Sequence, residues 1–368
     1  MDADKHFLSI APPYNRTVIT ADVVIAGAGI IGLSTALELA RQGLRVTVLE
    51  RGHAMAEASW AAAGMLAARD PENPSELRPL SELSISLYFD YLNTIEKLSG
   101  LQVPLRTNRT LQGSDRGHTF QNALLPAEIA ALLPGLNTAG GNFLLLEEHS
   151  LDPRDLCAAL PKAAAAAGVT LIEHSPVLKI SGTGRTVEVT TEQTTYSALH
   201  FINCCGAWAG EMASLPTIEP RKGQMLTVKL PSHRSLEYVI RTPELYLVPR
   251  GDGRVVIGAS VERAGFNKSV DETTIRALLD EAAALWPPIR KAEVVETWAG
   301  LRPGSADGLP VIGQCNEENS WIASGHFRNG IMLAPATARV MSELLSGHQP
   351  DVDLAPFRCD RFVQITVS

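Results

Sequence analysis

The chain has 368 residues, 45% hydrophobic and 20% charged, enough for two or three domains at about 150 residues each with cores that need no disulfide staples. A net charge of −8 without any basic run excludes a general nucleic-acid or anionic-membrane binder, but not a small anionic ligand, which needs only one or two cations. Five cysteines at scattered positions, with no C-x-x-C pair, signal neither a zinc site nor a redox dithiol, so a reduced, cytoplasmic protein is expected, with no metal.

The first residues carry acids and prolines where a signal peptide would be basic and then apolar; residues 1–20 are expected to be an extension. The most apolar stretch, Val23 to Leu37, contains three glycines and is too short to span a bilayer. It reads instead as a strand (VVIA), a turn with Gly27, Gly29 and Gly32, and a helix whose Leu33, Ala36, Leu37 and Ala40 share one face before Gly43. LRVTVLE then forms a second buried strand ending on Glu50. This is a right-handed βαβ unit.

Farther along, SWAAAGML (59–66) is a small-residue segment with a short helix. Leu80–Leu98 reads as a helix with Leu83, Leu87, Tyr91, Ile95 and Leu98 as its apolar stripe. Another helix spans Asp155–Ala167, and short strands are expected at 169–173, 176–181, 186–190 and 199–203. From 222 to 260 the pattern becomes antiparallel, with strands at Met225–Leu230, Leu245–Pro249 and Val255–Gly258 and a GDG turn at 251–253. A helix at 273–285 follows, then strands at Thr297–Leu301, Val311–Ile312 and Trp321–Ser324, and a helix at Ile331–Leu345. There is no internal repeat. The nucleotide-binding domain is expected to be discontinuous (20–85, 146–215 and 300–360), with residues 86–145 and 216–299 forming a substrate domain.

Gly27-Ala28-Gly29-Ile30-Ile31-Gly32 fits G-x-G-x-x-G in the required context. The first glycine allows the tight turn, the second lets a pyrophosphate approach the backbone, and the third lets helix and strand pack closely. Glu50, 18 residues past Gly32, sits where a carboxylate accepts from ribose hydroxyls. These features point to a dinucleotide but do not separate NAD from FAD.

ASWAAAGML after Glu50-Arg51, WAGLRPGSADGLPVIG and GHFRNGIMLAPATA near the C-terminus, and EHSPVLKI, CCGAWAG, RKGQMLTV and LYLVPRGDGRVVIGAS between them narrow the choice. At these residues the chain resembles the D-amino-acid oxidase family of flavoproteins, most closely its glycine oxidase branch. The resemblance covers most of the chain beyond the first 20 residues. It implies an α/β fold, an FAD-binding Rossmann-like (doubly wound) domain with a mostly antiparallel β substrate domain, and a non-covalent FAD.

The implied cofactor contacts are Gly27, Gly29, Ile30, Ile31 and Gly32 for the pyrophosphate, and Glu50 beside Arg51 for the adenosine ribose. Ala58, Ser59, Ala63, Gly64 and Met65 would line the flavin and its linker, and Val177 the adenine side. His326, Phe327, Arg328, Asn329, Gly330, Ile331 and Met332 would pass the other edge, where the helix after Gly330 points its positive end at the ring. Arg302 would grip the substrate carboxylate, with Tyr246 reaching the same group and Arg328 on the substrate side. For Arg328 a purely structural ion pair stays open.

The reaction so implied is oxidation of glycine, other small amines or D-amino acids to an imino acid and then an oxo acid, ammonia and, with dioxygen, hydrogen peroxide. The resemblance also suggests a homotetramer and a role in thiazole formation for thiamine. A dehydrogenase passing electrons to a quinone or protein, and more remotely a non-catalytic nucleotide-binding protein, remain as alternatives. Other residues receive plain readings. His53 and His326 are not general bases, Trp208 and Trp298 are core aromatics, Cys204 and Cys205 are small hydrophobes, and Asp307 stabilises its turn.

Overall fold

The computed structural model describes residues 18–114, 120–138, 141–182, 184–212, 218–315 and 319–362. Residues 1–17 of the expected extension lie outside them. Residues 18–20, also expected in that extension, belong to a strand paired with 195–197.

Two sheets organise these residues. The first contains β1 (Val18–Ala26), β2 (Val46–Leu49), β7 (Thr170–Ile172), β10 (Thr195–Asn203), β16 (Val311–Gln314) and β17 (Ser320–Ser324), in the order β16-β17-β10-β1-β2-β7. A hairpin of β8 (Lys179–Gly182) and β9 (Val187–Thr190) pairs with β10 and completes eight strands. β1 runs parallel to β2 and to β10, as a nucleotide-binding βαβ unit requires. Strand alternation divides its side chains: Val23 and Ile25 enter the main core, Val24 and Ala26 the smaller core on the opposite face.

That main core is built by α1 (Ile30–Arg41), α3 (Arg78–Ser99), α5 (Pro153–Ala166) and α7 (Gly330–Leu345). α5 starts two residues before the expected Asp155, with Asp152 accepting from the Arg154 N–H and Pro153 in the first turn. The buried face of α3, however, is not the expected leucine stripe. Leu80, Ser81, Ser84, Tyr88, Leu92 and Ile95 face inward, while Leu83, Leu87, Tyr91 and Leu98 are half-buried. The reason lies in α7, where Pro335 has no N–H to give the carbonyl of Ile331. Tyr88 donates its hydroxyl to that carbonyl at 2.9 Å. One residue on, Ser84 donates to the Met332 carbonyl at 2.6 Å and accepts from Ala336 N–H at 3.2 Å. Polar side chains on α3 thus complete a helix that proline interrupts.

The second sheet has seven strands: β4 (Thr110–Gly113), β5 (Phe143–Leu146), β11 (Glu219–Lys229), β12 (Val239–Arg241), β13 (Tyr246–Pro249), β14 (Arg254–Gly258) and β15 (Glu293–Gly304). Their order is β15-β11-β14-β13-β12-β4-β5, antiparallel except for β12 with β4. α6 (Glu272–Leu285) covers one face through Leu278 and Ala282 against Leu226, Val228 and Ile257. The other face turns Met225, Val256 and Trp298 toward the first domain and the short helix α2 (Ala58–Ala61). A two-stranded ribbon, β3 (Leu105–Thr107) with β6 (Ser150–Leu151), and the helix α4 (Pro126–Leu132) complete the connections.

Three boundaries differ from expectation. The division drawn at residue 85 falls inside α3, whose Tyr88, Leu92 and Ile95 pack in the first core. β11 begins at Glu219 because the polar run EPRKG is itself a strand, with Arg221 paired to Glu219 and Lys222 to Glu262. β15 continues through Arg302 and Pro303 instead of ending at Leu301; as an edge strand it tolerates the proline.

Candidate active site

A cavity of about 630 Å³ lies between the two sheets, lined at one side by Gly27, Gly29, Glu50 and Ser59 and at the other by Tyr246 and Arg302. On the first side the three glycines shape the turn between β1 and α1. Gly27 has φ +99°, and a Cβ there would meet the Cys204 carbonyl oxygen at 2.4 Å. A Cβ on Gly32 would meet the Gly27 oxygen at 2.0 Å, which is the close helix–strand contact. On Gly29 it would meet only Ser59 Oγ, at 3.4 Å, so this backbone faces open space.

The first turn of α1 carries no acidic side chain, and its positive end is left for an anion. Ser59 Oγ accepts from Ile30 N–H at 2.9 Å, tying α2 to that turn. Glu50 braces the turn from the other side, accepting from Ala28 N–H and Gly52 N–H, both at 2.8 Å. Each carboxylate oxygen keeps a lone pair for a hydroxyl.

The segment after α2 approaches closely because of one glycine. Gly64 has φ +84°, and a Cβ would meet Leu151 O at 2.1 Å. Ala58, Ala63, Met65 and Val177 line the cavity with it. So do Ile30, Ile31 and Arg51. Trp208 is not a core aromatic. It is half-buried at the cavity, between the Arg51 guanidinium, 3.6 Å from its ring centroid, and the ring of Phe266 at 5.2 Å and 19°. Trp298 is a core aromatic, donating Nε1–H to Ala61 O at 3.1 Å.

The second side depends on register. Arg302 lies on β15 opposite Arg221, and the next inward position on β11 is Gly223. A Cβ on Gly223 would meet the Arg302 guanidinium atoms at 2.3–2.5 Å, so the guanidinium lies flat over that glycine. Tyr246 on β13 faces Gly258 on β14 in register, and a Cβ on Gly258 would meet Tyr246 Oη at 2.5 Å. Two glycines therefore let the phenol and the guanidinium lie down on the sheet beside each other. Burial pushes the Tyr246 phenol pKa up, and the neighbouring Arg302 charge opposes that rise. Arg302 Nη1 donates to Ser260 O at 3.1 Å, and among the described residues no carboxylate forms an ion pair with it.

Arg328 reaches the same cavity but is engaged. Its Nη1 is 2.5 Å from Glu72, and its Nη2 is 3.4 Å from Asp70. Asp70 also faces Arg241, a buried cation that pairs with Glu148 at 3.0 Å and hydrogen-bonds Gln112. Phe327, at φ +47°, donates its N–H to Pro303 O at 2.8 Å and so joins the loop before α7 to the Arg302 strand. His326, Asn329, Gly330 and Ile331 line the cavity. Met332 does not: it is 1% exposed, in the main core on the far side of α7.

His326 is enclosed, and burial lowers its pKa to about 3, so the ring is neutral. Its Nε2 lies 3.0 Å from Thr337 Oγ1. Asp307 stabilises its turn, accepting from Leu309 N–H at 3.1 Å, and also pairs with Arg361 at 2.8 Å. Among the described residues His53, Glu173 and His174 come together at the surface, a group no sequence spacing had suggested. Gly223, Gly258, Trp208 and Arg241 were also missed as site residues. Glycines inside β-rich runs were the available signal, because a strand glycine marks close approach.

The cavity fits FAD on its own features. An open backbone at Gly29, an uncompensated helix end and a braced carboxylate suit the pyrophosphate and ribose, and small side chains leave room for a flat ring system. The family model described as "DAO: FAD dependent oxidoreductase" matches residues 22–344.

The chain belongs to this FAD-dependent oxidoreductase family.

Within it, the chain is 33% identical to the glycine oxidase of Pseudomonas aeruginosa, over 91% of this chain and 97% of that one. It is 34% identical to the bifunctional protein ThiO/ThiG of Trichormus variabilis, over 94% of this chain but only 55% of that longer protein. The crystal structure of glycine oxidase from Geobacillus kaustophilus superposes with a TM-score of 0.89 at 30% identity, covering 94% of this chain and 100% of that one. The FAD-dependent family assignment and the two-sheet architecture agree with the fold class expected from the sequence. Among the described residues no helix is long and apolar enough to cross a membrane.

Proposed function

We propose that this FAD-dependent enzyme oxidatively deaminates glycine and similarly small amino acids, with dioxygen as electron acceptor and hydrogen peroxide as product. The observation that carries this is Arg302: a half-buried guanidinium at the cavity, laid over Gly223 beside Tyr246, with no carboxylate partner among the described residues. A planar guanidinium can hold both oxygens of a substrate carboxylate at once. Tyr246 supplies a hydroxyl to the same group, and its raised pKa keeps it protonated as a donor. Arg328 would act by holding the 70–73 turn against the cavity, since Glu72 and Asp70 already neutralise it.

FAD, held by the backbone at Gly29, the first turn of α1 and Glu50, would supply an acceptor for two electrons and the α-hydrogen. The protein fixes the carboxylate, and with it the direction of the α-carbon hydrogen, so catalysis is mainly orientation and electrostatics. A neutral substrate amine supports departure of that hydrogen through its lone pair. No described side chain needs to act as a base, and His326 is neutral already. Water then hydrolyses the imino acid; glycine, dioxygen and water give glyoxylate, ammonia and hydrogen peroxide. Phe327 narrows the substrate side, its ring centroid 6.0 Å from Arg302 Cζ, which favours glycine, sarcosine and D-alanine over D-phenylalanine.

The test is anaerobic reduction by a panel of these amines, followed by admission of air. Glycine should bleach the yellow enzyme, and air should restore the colour with stoichiometric peroxide. Reoxidation far slower than turnover with an artificial quinone would make the enzyme a dehydrogenase. Faster reduction by a large L-amino acid would overturn the substrate class.

A further inference from the structure

The five thiols fall into two groups. Burial raises Cys204, Cys205 and Cys157, the last two to about 12. They are inert as nucleophiles. Cys315 and Cys359 differ, because their sulfurs lie 3.2 Å apart although 44 positions separate them in the chain.

Both sit on anchored backbone. Cys315 follows β16 directly, and its N–H donates to Ser320 O at 2.9 Å across the hairpin to β17. Cys359 opens the 3-10 turn Cys359–Phe362. That turn is held by Phe357, which is fully buried, and by Arg361, which donates to Asp307 at 2.8 Å and to Leu309 O at 2.9 Å. Asp307 and Leu309 belong to the loop that leaves the Arg302 strand. Cys315 is half-exposed and Cys359 is 8% exposed, so a small oxidant can enter from the Cys315 side.

We propose that Cys315 and Cys359 are a peroxide-oxidised site, converted to a disulfide that staples the C-terminal turn to the edge strand β16. The thiolate of Cys359 attacks one oxygen of hydrogen peroxide, breaking the O–O bond and releasing the other oxygen as water after protonation. The Cys315 thiol then displaces the second oxygen, also as water. In balance, two thiols and one peroxide give one disulfide and two waters. The hydrogen bond with Cys315 holds the Cys359 thiol below its ordinary pKa, which favours the attacking form. The sulfurs need to approach by only about 1 Å to reach bonding distance. That the enzyme itself supplies the peroxide rests on the dioxygen reading above; the site does not.

The test uses the purified, FAD-loaded full chain in two arms. In the first, hydrogen peroxide is added and thiols are counted in denaturant. The count should fall from five to three, recover with dithiothreitol, and peptide mapping should find residues 315 and 359 cross-linked. The melting temperature should rise with oxidation in the wild type but not in Cys359→Ser or Cys315→Ser. In the second arm glycine and air replace the added peroxide, with catalase as control; the same cross-link should form and catalase should prevent it. A cross-link in the first arm but none in the second during measured flavin turnover keeps the site and removes the peroxide-forming reading. An unchanged thiol count, a different pairing, or irreversible oxidation of Cys359 without a cross-link in the first arm overturns the site.

Discussion

The two walls of the cavity are built by opposite strategies. The wall beneath the cofactor is one contiguous stretch, strand, glycine turn, helix, strand, in which Gly27, Gly29, Gly32 and Glu50 are neighbours in sequence as well as in space. The wall behind the proposed substrate site is assembled across paired strands of the second sheet instead of within one turn. Arg302 needs Gly223, 79 positions earlier, and Tyr246 needs Gly258 on the adjacent strand. The first wall is specified by local turn chemistry and the second by register. A one-residue slip of β11 against β15 would put Lys222 or Gln224 where the guanidinium now rests.

This contrast predicts that lesions in the two walls separate cofactor binding from turnover. The largest effect belongs to Arg302→Leu. Loss of a charged bidentate partner for a desolvated carboxylate costs about 3–5 kcal/mol, at least a hundredfold in kcat/KM. The flavin spectrum should be unchanged, and wild-type activity on glycine would sink the assignment. Gly27→Ala should do the reverse. With φ +99° and the Cys204 carbonyl at 2.4 Å, the variant carries about 1–3 kcal/mol of strain. It should be isolated with sub-stoichiometric FAD, measured by absorbance after acid precipitation, while any loaded fraction keeps the wild-type KM for glycine.

Gly223→Ala sharpens the comparison further, because it adds a methyl group without removing any functional group. Displacing the Arg302 guanidinium should cost roughly tenfold in kcat/KM, since small errors in position are expensive where catalysis is orientation. Flavin should be retained, as in Arg302→Leu. An unchanged kcat/KM would mean that the guanidinium stands off the sheet.

What was legible in the sequence follows the same division. The βαβ unit, α5, α6, α7 and the hairpin after Pro249 carry their signals within a few residues, and their existence was read from caps, periodicity and glycine turns. Arg302 and Tyr246 were reached through family resemblance, whereas the glycines that position them were not. No single strand says which residue will lie opposite it. The short strands at 105–113 and 143–146 were missed for a related reason: they lack the length for a clear alternation and are stabilised by partners elsewhere. In α3, leucine periodicity pointed to one face while the buried face turned on Ser84 and Tyr88, which meet a need created by Pro335 in another helix.

His326 gives a pH test on the loop that joins the walls. Burial holds it near pKa 3 in the folded protein, whereas an unfolded histidine titrates near 6.5. The unfolded state therefore binds the extra proton between these values. Stability from this group is full above about pH 6.5 and falls by about 1.4 kcal/mol per pH unit as pH drops below it. Melting temperatures from pH 7.5 to 5 should show this slope, and His326→Gln should flatten it. An equal slope in the variant would assign the acid sensitivity to other groups.

The mildest functional effect concerns a residue that touches neither wall. Tyr88→Phe removes the hydroxyl that serves the Ile331 carbonyl, which Pro335 leaves without its helical partner. Tyr88 is 3% exposed, so that carbonyl would stay buried with one partner fewer, at a cost of about 1–3 kcal/mol. The variant should melt several degrees lower than the wild type. It should keep its kcat and KM, because Ser84 still ties the next turn of α7 through Met332 O and Ala336 N–H. Combining it with Ser84→Ala removes both ties. The double variant should then lose flavin affinity as well, because Gly330 and Ile331 form the cavity end of the helix. If Tyr88→Phe alone released FAD, the first turn of α7 would be positioned by that single hydroxyl. The separation between scaffold and cofactor wall would then fail at this helix.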